Sequence, residues 1–175
     1  MVERFGYEEC PPHPAWIPPV EWLGSEKASC FTLHLVTMQP ASRLHSQMDP
    51  GAMSGADKIA GRERVRLNAA DAAERGIRSG DVVRVYNERG ACLAGADVSD
   101  DVRCGVAVIE TGAWFDPADD GLERHGNPNV LTLDIGTSRL AQGPSALSVL
   151  VEVERCEGIV PDARPFDLPT ILSES

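Results

Sequence analysis

The feature that most limits how this chain can fold is the spacing of its turns. From Arg62 to Gly112 the sequence reads "RERVRLNAADAAERGIRSGDVVRVYNERGACLAGADVSDDVRCGVAVIETG". Short apolar runs are cut off by "SGD", "ERG" and "VRCG", too closely for the long crossover helices of a parallel βαβ sheet. "RVRL", "VVRVYN", "ACLAGADVSD" and "VAVIETG" therefore read as strands, with "ERG" a hairpin turn. Upstream, "FTLHLVT" alternates and sets Phe31, Leu33, Leu35 and Thr37 on one face. Downstream, "SALSVLVEVERC" does the same with Leu147, Val149, Val151 and Val153. One helix interrupts the strands: Asn68 is a good N-cap for "AADAAERG", and Gly76 a good stop. "NVLTLD" reads as a short helix or strand, and residues 50–61, "PGAMSGADKIAG", as a loop. Several short strands with one short helix predict a mainly β chain closed into a barrel, which also removes sheet edges. Aromatic residues are only 5% of the chain, so that barrel must be filled by Val, Leu, Ile and Ala.

A chain of 175 residues suits one such domain with extended ends. Residues 1–28 include the proline-rich "CPPHPAWIPPVEWLG" and predict an extended arm, with Trp16 and Trp22 pinning it either onto the domain's own core or onto a missing domain. Residues 29–156 hold the barrel, and residues 157–175, "EGIVPDARPFDLPTILSES", an extended tail.

Charge and cysteine usage exclude several classes. The formal net charge is -11, from 27 acids against 16 bases. That argues against sequence-independent nucleic-acid binding, which needs clustered Lys and Arg. Five cysteines, with no CxxC pair, give neither a disulfide framework nor a structural zinc site. No apolar run reaches the ~18 residues of a membrane-spanning helix. The opening "MVERFGYEECPPHP" lacks the pattern of a secretory signal.

Three segments concentrate hydrogen-bonding side chains: "QPASRLHSQ" from Gln39, "HGNPN" from His125 and "GTSRLAQGPS" from Gly136. Each flanks a predicted strand or short element. Amides read a heterocycle edge well, while Ser, Arg and backbone N–H groups hold oxyanions. The same residue types also dominate ordinary turns, so any one segment alone reads first as a turn. His45 has no neighbouring metal ligand and reads as a hydrogen-bonding residue. None of the three is a phosphate-binding glycine loop or a nucleophile elbow.

"HLVTMQPASRLHSQMD", the stretch from "LNAADAAERG" to "ETGAWFDP", and "HGNPNVLTLDIGTSRLAQGPSA" occur here in that order. Together they resemble the C-terminal domain of the dimethyl sulfoxide reductase family of molybdenum enzymes, on the biotin sulfoxide and trimethylamine N-oxide reductase branch. The resemblance runs from about Phe5 to Val153. It implies a six-stranded double-psi β-barrel with one or two short helices. That barrel covers a bis(molybdopterin guanine dinucleotide) cofactor in the parent enzyme. The matching cofactor-binding positions are Thr37, Met38, Gln39, Arg43, Leu44, His45, Ser46, Gln47, Asn127, Asn129, Gln142 and Gly143. Arg43 and Ser46 are assigned to phosphate or pterin oxygens, and Gln39, Gln47, Asn129 and Gln142 to pterin edges. An extended first loop would turn Arg43, His45 and Gln47 to one side.

Enzymes of this family run to several hundred residues, so the resemblance implies a cofactor-capping domain without catalytic or metal-ligating residues of its own. The expected partners are the remaining domains of the enzyme, with the chain itself monomeric and free of cofactor in isolation. A cytoplasmic location is favoured, with a periplasmic parent left open. The alternative is a stand-alone double-psi barrel serving as an interaction module. Exposed apolar residues are expected to rim the polar site, with Trp16 and Trp22 among them.

Overall fold

The computed structural model describes residues 4, 6, 13–139, 142–143 and 149–168. Its six strands are β1 (Leu33–Met38), β2 (Arg64–Leu67), β3 (Val82–Tyr86), β4 (Ala91–Val98), β5 (Val106–Glu110) and β6 (Val149–Arg155). They close in the order β1-β5-β2-β4-β3-β6. β1 runs parallel to β5 and β2 parallel to β4, while the other four neighbours are antiparallel. This is the mainly β, six-stranded double-psi barrel that the motifs implied.

Alternation along each strand fills the interior. Leu33 and Leu35 of β1 point inward, as do Val65 and Leu67 of β2. Val149, Val151 and Val153 of β6 are likewise buried, whereas Leu147 lies outside the described residues. No aromatic side chain is found in the core among the described residues. β4 departs from alternation, with every residue from Ala91 to Ala96 buried. Ile59 lies against its outer face at Gly95. At its start, Glu123 takes the place of a further strand: Leu93 N–H donates to its carbonyl at 2.8 Å, and its own N–H donates to Ala91.

Two short helices are present, α1 (Ala52–Asp57) and α2 (Ala69–Glu74). The second starts where the sequence predicts: the Asn68 side chain accepts from Ala70 N–H and donates to the Val102 carbonyl at 2.7 Å. It ends at Gly76, whose φ of +63° suits a residue without a Cβ. α1 corrects the reading of residues 50–61 as loop. "NVLTLD" resolves into a 3-10 turn, Pro128–Val130, capped by Asn127.

The arm is pinned by a carboxylate rather than by its tryptophans. Trp16 is 76% exposed and Trp22 38%. Glu21, only 1% exposed, accepts a forked pair from Arg89 at 2.7 and 3.0 Å, the Leu150 N–H at 3.0 Å and Lys27 at 2.8 Å. Burial alone would push its pKa up, but the Arg89 and Lys27 hydrogen bonds outweigh that and hold it at about 2. The described part of the C-terminal tail, residues 157–168, has no regular secondary structure, yet it lies on the barrel. Arg62 donates to the Pro161 carbonyl, and Arg164 N–H donates to Asp116 at 2.7 Å.

A second buried charge cluster ties the loop after β1 to the barrel. Arg43 makes a forked pair with Glu63 at 2.8 and 3.3 Å. It also donates to Ser54 Oγ at 3.0 Å and to the Thr111 carbonyl at 2.8 Å. Lys58 bridges Asp49 at 2.9 Å and Glu63. The four charged side chains are between 0% and 5% exposed. Two acids and two bases cancel, so the cluster is neutral in sum. Removing one member leaves buried charge uncompensated.

Two outcomes are expected. Arg43→Ala should cost about 3–5 kcal/mol of stability, read as a lower urea midpoint. Glu21→Gln should cost about 2–4 kcal/mol at neutral pH. The Glu21 carboxyl is depressed from 4.5 when free to about 2 when folded. Its stabilisation is therefore complete above pH 4.5 and lost as pH falls through about 2. The gap between wild type and Glu21→Gln in a pH series of denaturation curves should close over that window.

Candidate functional site

A cleft of about 680 Å³ opens at one end of the barrel. Three pieces of chain line it: Gln39, His45 and Ser46 after β1, Thr111–Phe115 after β5, and Asn127 with Asn129. Each piece leaves the end of a strand or a loop held to one, which places several polar groups around one space.

The floor is the segment after β5. Thr111 N–H extends the β1–β5 pairing by donating to the Met38 carbonyl at 2.8 Å. Gly112 follows with φ +95°, and a Cβ there would collide with the His45 carbonyl oxygen. The first loop thus lies directly on backbone that only glycine leaves bare. Trp114 closes the contact: its indole donates to the Ser46 carbonyl at 2.8 Å. Its backbone N–H donates to Asp49 at 2.9 Å. Burial would raise the Asp49 pKa, but Lys58 and this amide outweigh it and the net direction is down. The buried charge cluster therefore grips the floor at two points, Thr111 through Arg43 and Trp114 through Asp49.

The third piece is organised by Glu123. Its fully buried carboxylate accepts four backbone N–H groups, from Asp116, His125, Gly126 and Asn127, at 2.7–3.2 Å. Burial still pushes its pKa up against those four donors. Asn127 then donates to the Ala113 carbonyl at 2.9 Å and accepts from Asn129 N–H at 3.0 Å. His125 is fully buried, and burial, reinforced by Lys58, lowers its pKa. A carbonyl can only accept, so the 3.0 Å contact from Nδ1 to Trp114 O fixes the proton on Nδ1.

Of the positions singled out by sequence, Gln39, His45, Ser46, Asn127 and Asn129 come together here. The imidazole of His45, the hydroxyl of Ser46 and the amide of Asn129 make no hydrogen bond to a described residue. Thr37 and Met38 end β1 beside the cleft. Leu44 and Gln47 bridge each other across a tight turn and face solvent. That turn corrects the expectation of an extended loop. His45 and Met48 have φ of +50° and +63°, and Arg43 is turned inward, away from His45 and Gln47. Gln142 and Gly143 do not line the cleft. They pack on their own segment, with Gln142 donating to the Ser138 carbonyl at 2.7 Å and Gly143 accepting from Thr137 N–H. Leu140, Ala141, Pro144 and Ser145 of that segment lie outside the described residues.

The apolar rim also differs from expectation. The segments around the cleft expose Met38, Leu44, Met48, Trp114 and Phe115. Trp16 and Trp22 are not in its lining. Thr111 to Phe115 were missed by sequence reasoning, although "GAWF" placed straight after a strand was a signal in a chain so poor in aromatics. Glu123 gave no signal, because its role depends on four amides that only the fold converges. A second depression of about 630 Å³ lies along β3 and β6, lined by Arg75, Arg84, Glu154 and Arg155. Its charges are largely committed to the pairs Arg75–Glu152 and Arg84–Glu154.

Comparison with known proteins places this geometry. The profile described as "Molydopterin dinucleotide binding domain" matches residues 33–150, the whole barrel up to the start of β6. A biotin sulfoxide reductase of Cereibacter sphaeroides is 54% identical over 163 residues, covering 93% of this chain and 22% of the relative. A dimethyl sulfoxide/trimethylamine N-oxide reductase of the same organism is 45% identical, covering 96% of this chain and 21% of the relative. The chain thus spans about a fifth of the length of the curated relatives it matches. Among solved structures, acetylene hydratase from Pelobacter acetylenicus superposes with a TM-score of 0.71 at 20% identity, over 89% of this chain and 22% of that one. That likeness speaks for the fold. With its profile spanning the barrel and its three polar segments in order, the chain belongs to the molydopterin dinucleotide binding domain family.

Proposed function

We propose that this chain is the cofactor-capping wall of a molybdenum oxidoreductase that reduces S-oxides or N-oxides by oxygen-atom transfer. The observation that carries the reading is the cleft, whose His45, Ser46 and Asn129 side chains have no partner among the described residues while most of the polar groups beneath them are paired. Binding residues kept free by a rigid support are what a preorganised ligand site requires. Bis(molybdopterin guanine dinucleotide) fits this donor set. Its pterins carry many donors and acceptors, the lining supplies amides, a hydroxyl and an imidazole, and Trp114 and Phe115 offer flat apolar surface.

In this reading Gln39, His45, Ser46, Asn127 and Asn129 contact the cofactor, and Thr37 and Met38 shape the edge of the site. Gln142 and Gly143 act from the adjoining segment, while Leu44 and Gln47 meet the cofactor or a neighbouring domain across the outer turn. Arg43 acts through the scaffold, holding the floor. When bound, the cofactor's metal would supply the two-electron change, and the residues here would bind and orient it. The exposed Met38, Leu44, Met48, Trp114 and Phe115 are surface that the remaining domains of the enzyme would cover. The relatives' names supply the substrate class.

The isolated chain should bind extracted pterin dinucleotide weakly, since one wall supplies only part of the contacts. Ser46→Ala and Asn129→Ala should each weaken that binding by about 2–10-fold, the scale of a neutral hydrogen bond. Thermal unfolding should stay unchanged, because neither side chain supports the fold. Titration calorimetry reads the first and a melting curve the second. Wild-type chain that shows no saturable heat, or variants that bind as well as wild type, would sink the reading.

A further inference from the structure

Phe166 lies beyond the residues that the family profile matches, in the tail after β6. Its ring stands edge-on to two others, Trp114 and His125, each with a centroid separation of 5.4 Å and interplanar angles of 72° and 86°. Trp114 is the residue whose indole holds the Ser46 carbonyl. His125 is the residue whose Nδ1 holds the Trp114 carbonyl. Phe166 therefore touches both the ring that fixes the first loop and the ring that fixes its backbone.

The tail is fastened on the near side of this contact. Arg62, 4% exposed, donates to the Pro161 carbonyl, and Arg164 N–H donates to Asp116 at 2.7 Å. Asp116 belongs to the loop organised by Glu123, and its own N–H donates to that carboxylate. Three fastenings within six residues hold an irregular segment against the back of the cleft. Phe166 itself stays 41% exposed, so its contacts contribute less to the core than to the orientation of the rings it meets.

We propose that Pro161–Phe166 is a positioning strap for the cleft, with Phe166 a positioning residue that sets the Trp114 indole and through it the Ser46 loop. The strap stands on the geometry above. Its consequence for ligand binding rests on the cleft being the cofactor site.

The experiment uses this chain with Trp16→Phe and Trp22→Phe, which leaves Trp114 as the sole tryptophan. Phe166→Ala should shift Trp114 emission to the red and raise its quenching by acrylamide. Phe166→Tyr should restore both. Amide exchange at residues 42–48 and 111–115 should speed up by roughly tenfold in Phe166→Ala, while β1–β6 keep their protection. Unchanged emission and exchange would overturn the strap. So would equal loss of protection throughout the barrel, which would make Phe166 a general stability residue. Titration with extracted pterin dinucleotide separates the two readings. Weaker binding by Phe166→Ala, rescued by Phe166→Tyr, supports both. Altered Trp114 with no binding even by the Phe166-containing parent keeps the strap and rejects the cofactor reading.

Discussion

The forked pair between Arg43 and Glu63 is the interaction on which the rest of the site depends. It joins the loop after β1 to the start of β2, and it reaches the segment after β5 through the Thr111 carbonyl. Burying these charges costs desolvation energy that their attraction offsets only when geometry is good and the remaining donors are satisfied. Here most of them are: Ser54, Asp49, Lys58 and Thr111 take up most of what the pair leaves over. Apolar residues of similar volume could support a loop as well. They could not fix the direction of a carbonyl or an amide, as Arg43 does for Thr111 and Asp49 for Trp114. The arrangement suits a site whose upper surface must offer unpaired polar groups without collapsing onto them.

Glu21 and Glu123 extend the same principle to the N-terminal arm and to the loop after β5. Each is a single buried carboxylate that collects several donors. Glu21 gathers Arg89, Lys27 and the first part of β6, and Glu123 gathers four amides of one loop. Their pKa directions differ for a simple reason. Glu21 is hydrogen-bonded by two cations, whereas the hydrogen bonds to Glu123 come from backbone amides, and these do not outweigh its burial.

The strands, the capped helix and the class of barrel were legible in the sequence because they rest on local rules. Alternation in "LHLV" and "VLVEV", the Asn68 cap and the Gly76 stop each act within a few residues. The double-psi arrangement came only through the resemblance, and the order of strand neighbours was not legible at all. Gln39, His45, Ser46, Asn127 and Asn129 were legible as polar loop residues, and the structure assembles them in one place. Arg43 was misread because a loop arginine looks like an anion ligand until Glu63, twenty residues on, is brought beneath it. The exposure of Trp16 and Trp22 sets aside only the reading that they cover the domain's own core. Glu21, between Val20 and Trp22, makes the contacts that hold the arm.

The cancellation inside the buried cluster has a consequence at longer range. Among the described residues no lysine or arginine lines the cleft, and the four charges of the buried cluster cancel, so an approaching anion meets the field of a chain with formal charge -11. A ligand carrying pyrophosphates approaches this wall against that field. Added salt shortens its reach, with a Debye length of about 10 Å at 0.1 M. Association of such an anion with the isolated chain should therefore quicken as ionic strength rises. A stopped-flow salt series would carry the opposite slope from that of a basic phosphate-binding protein. On the proposed reading, ionic strength would govern how often the dinucleotide arrives, and the side chains of the cleft how long it stays.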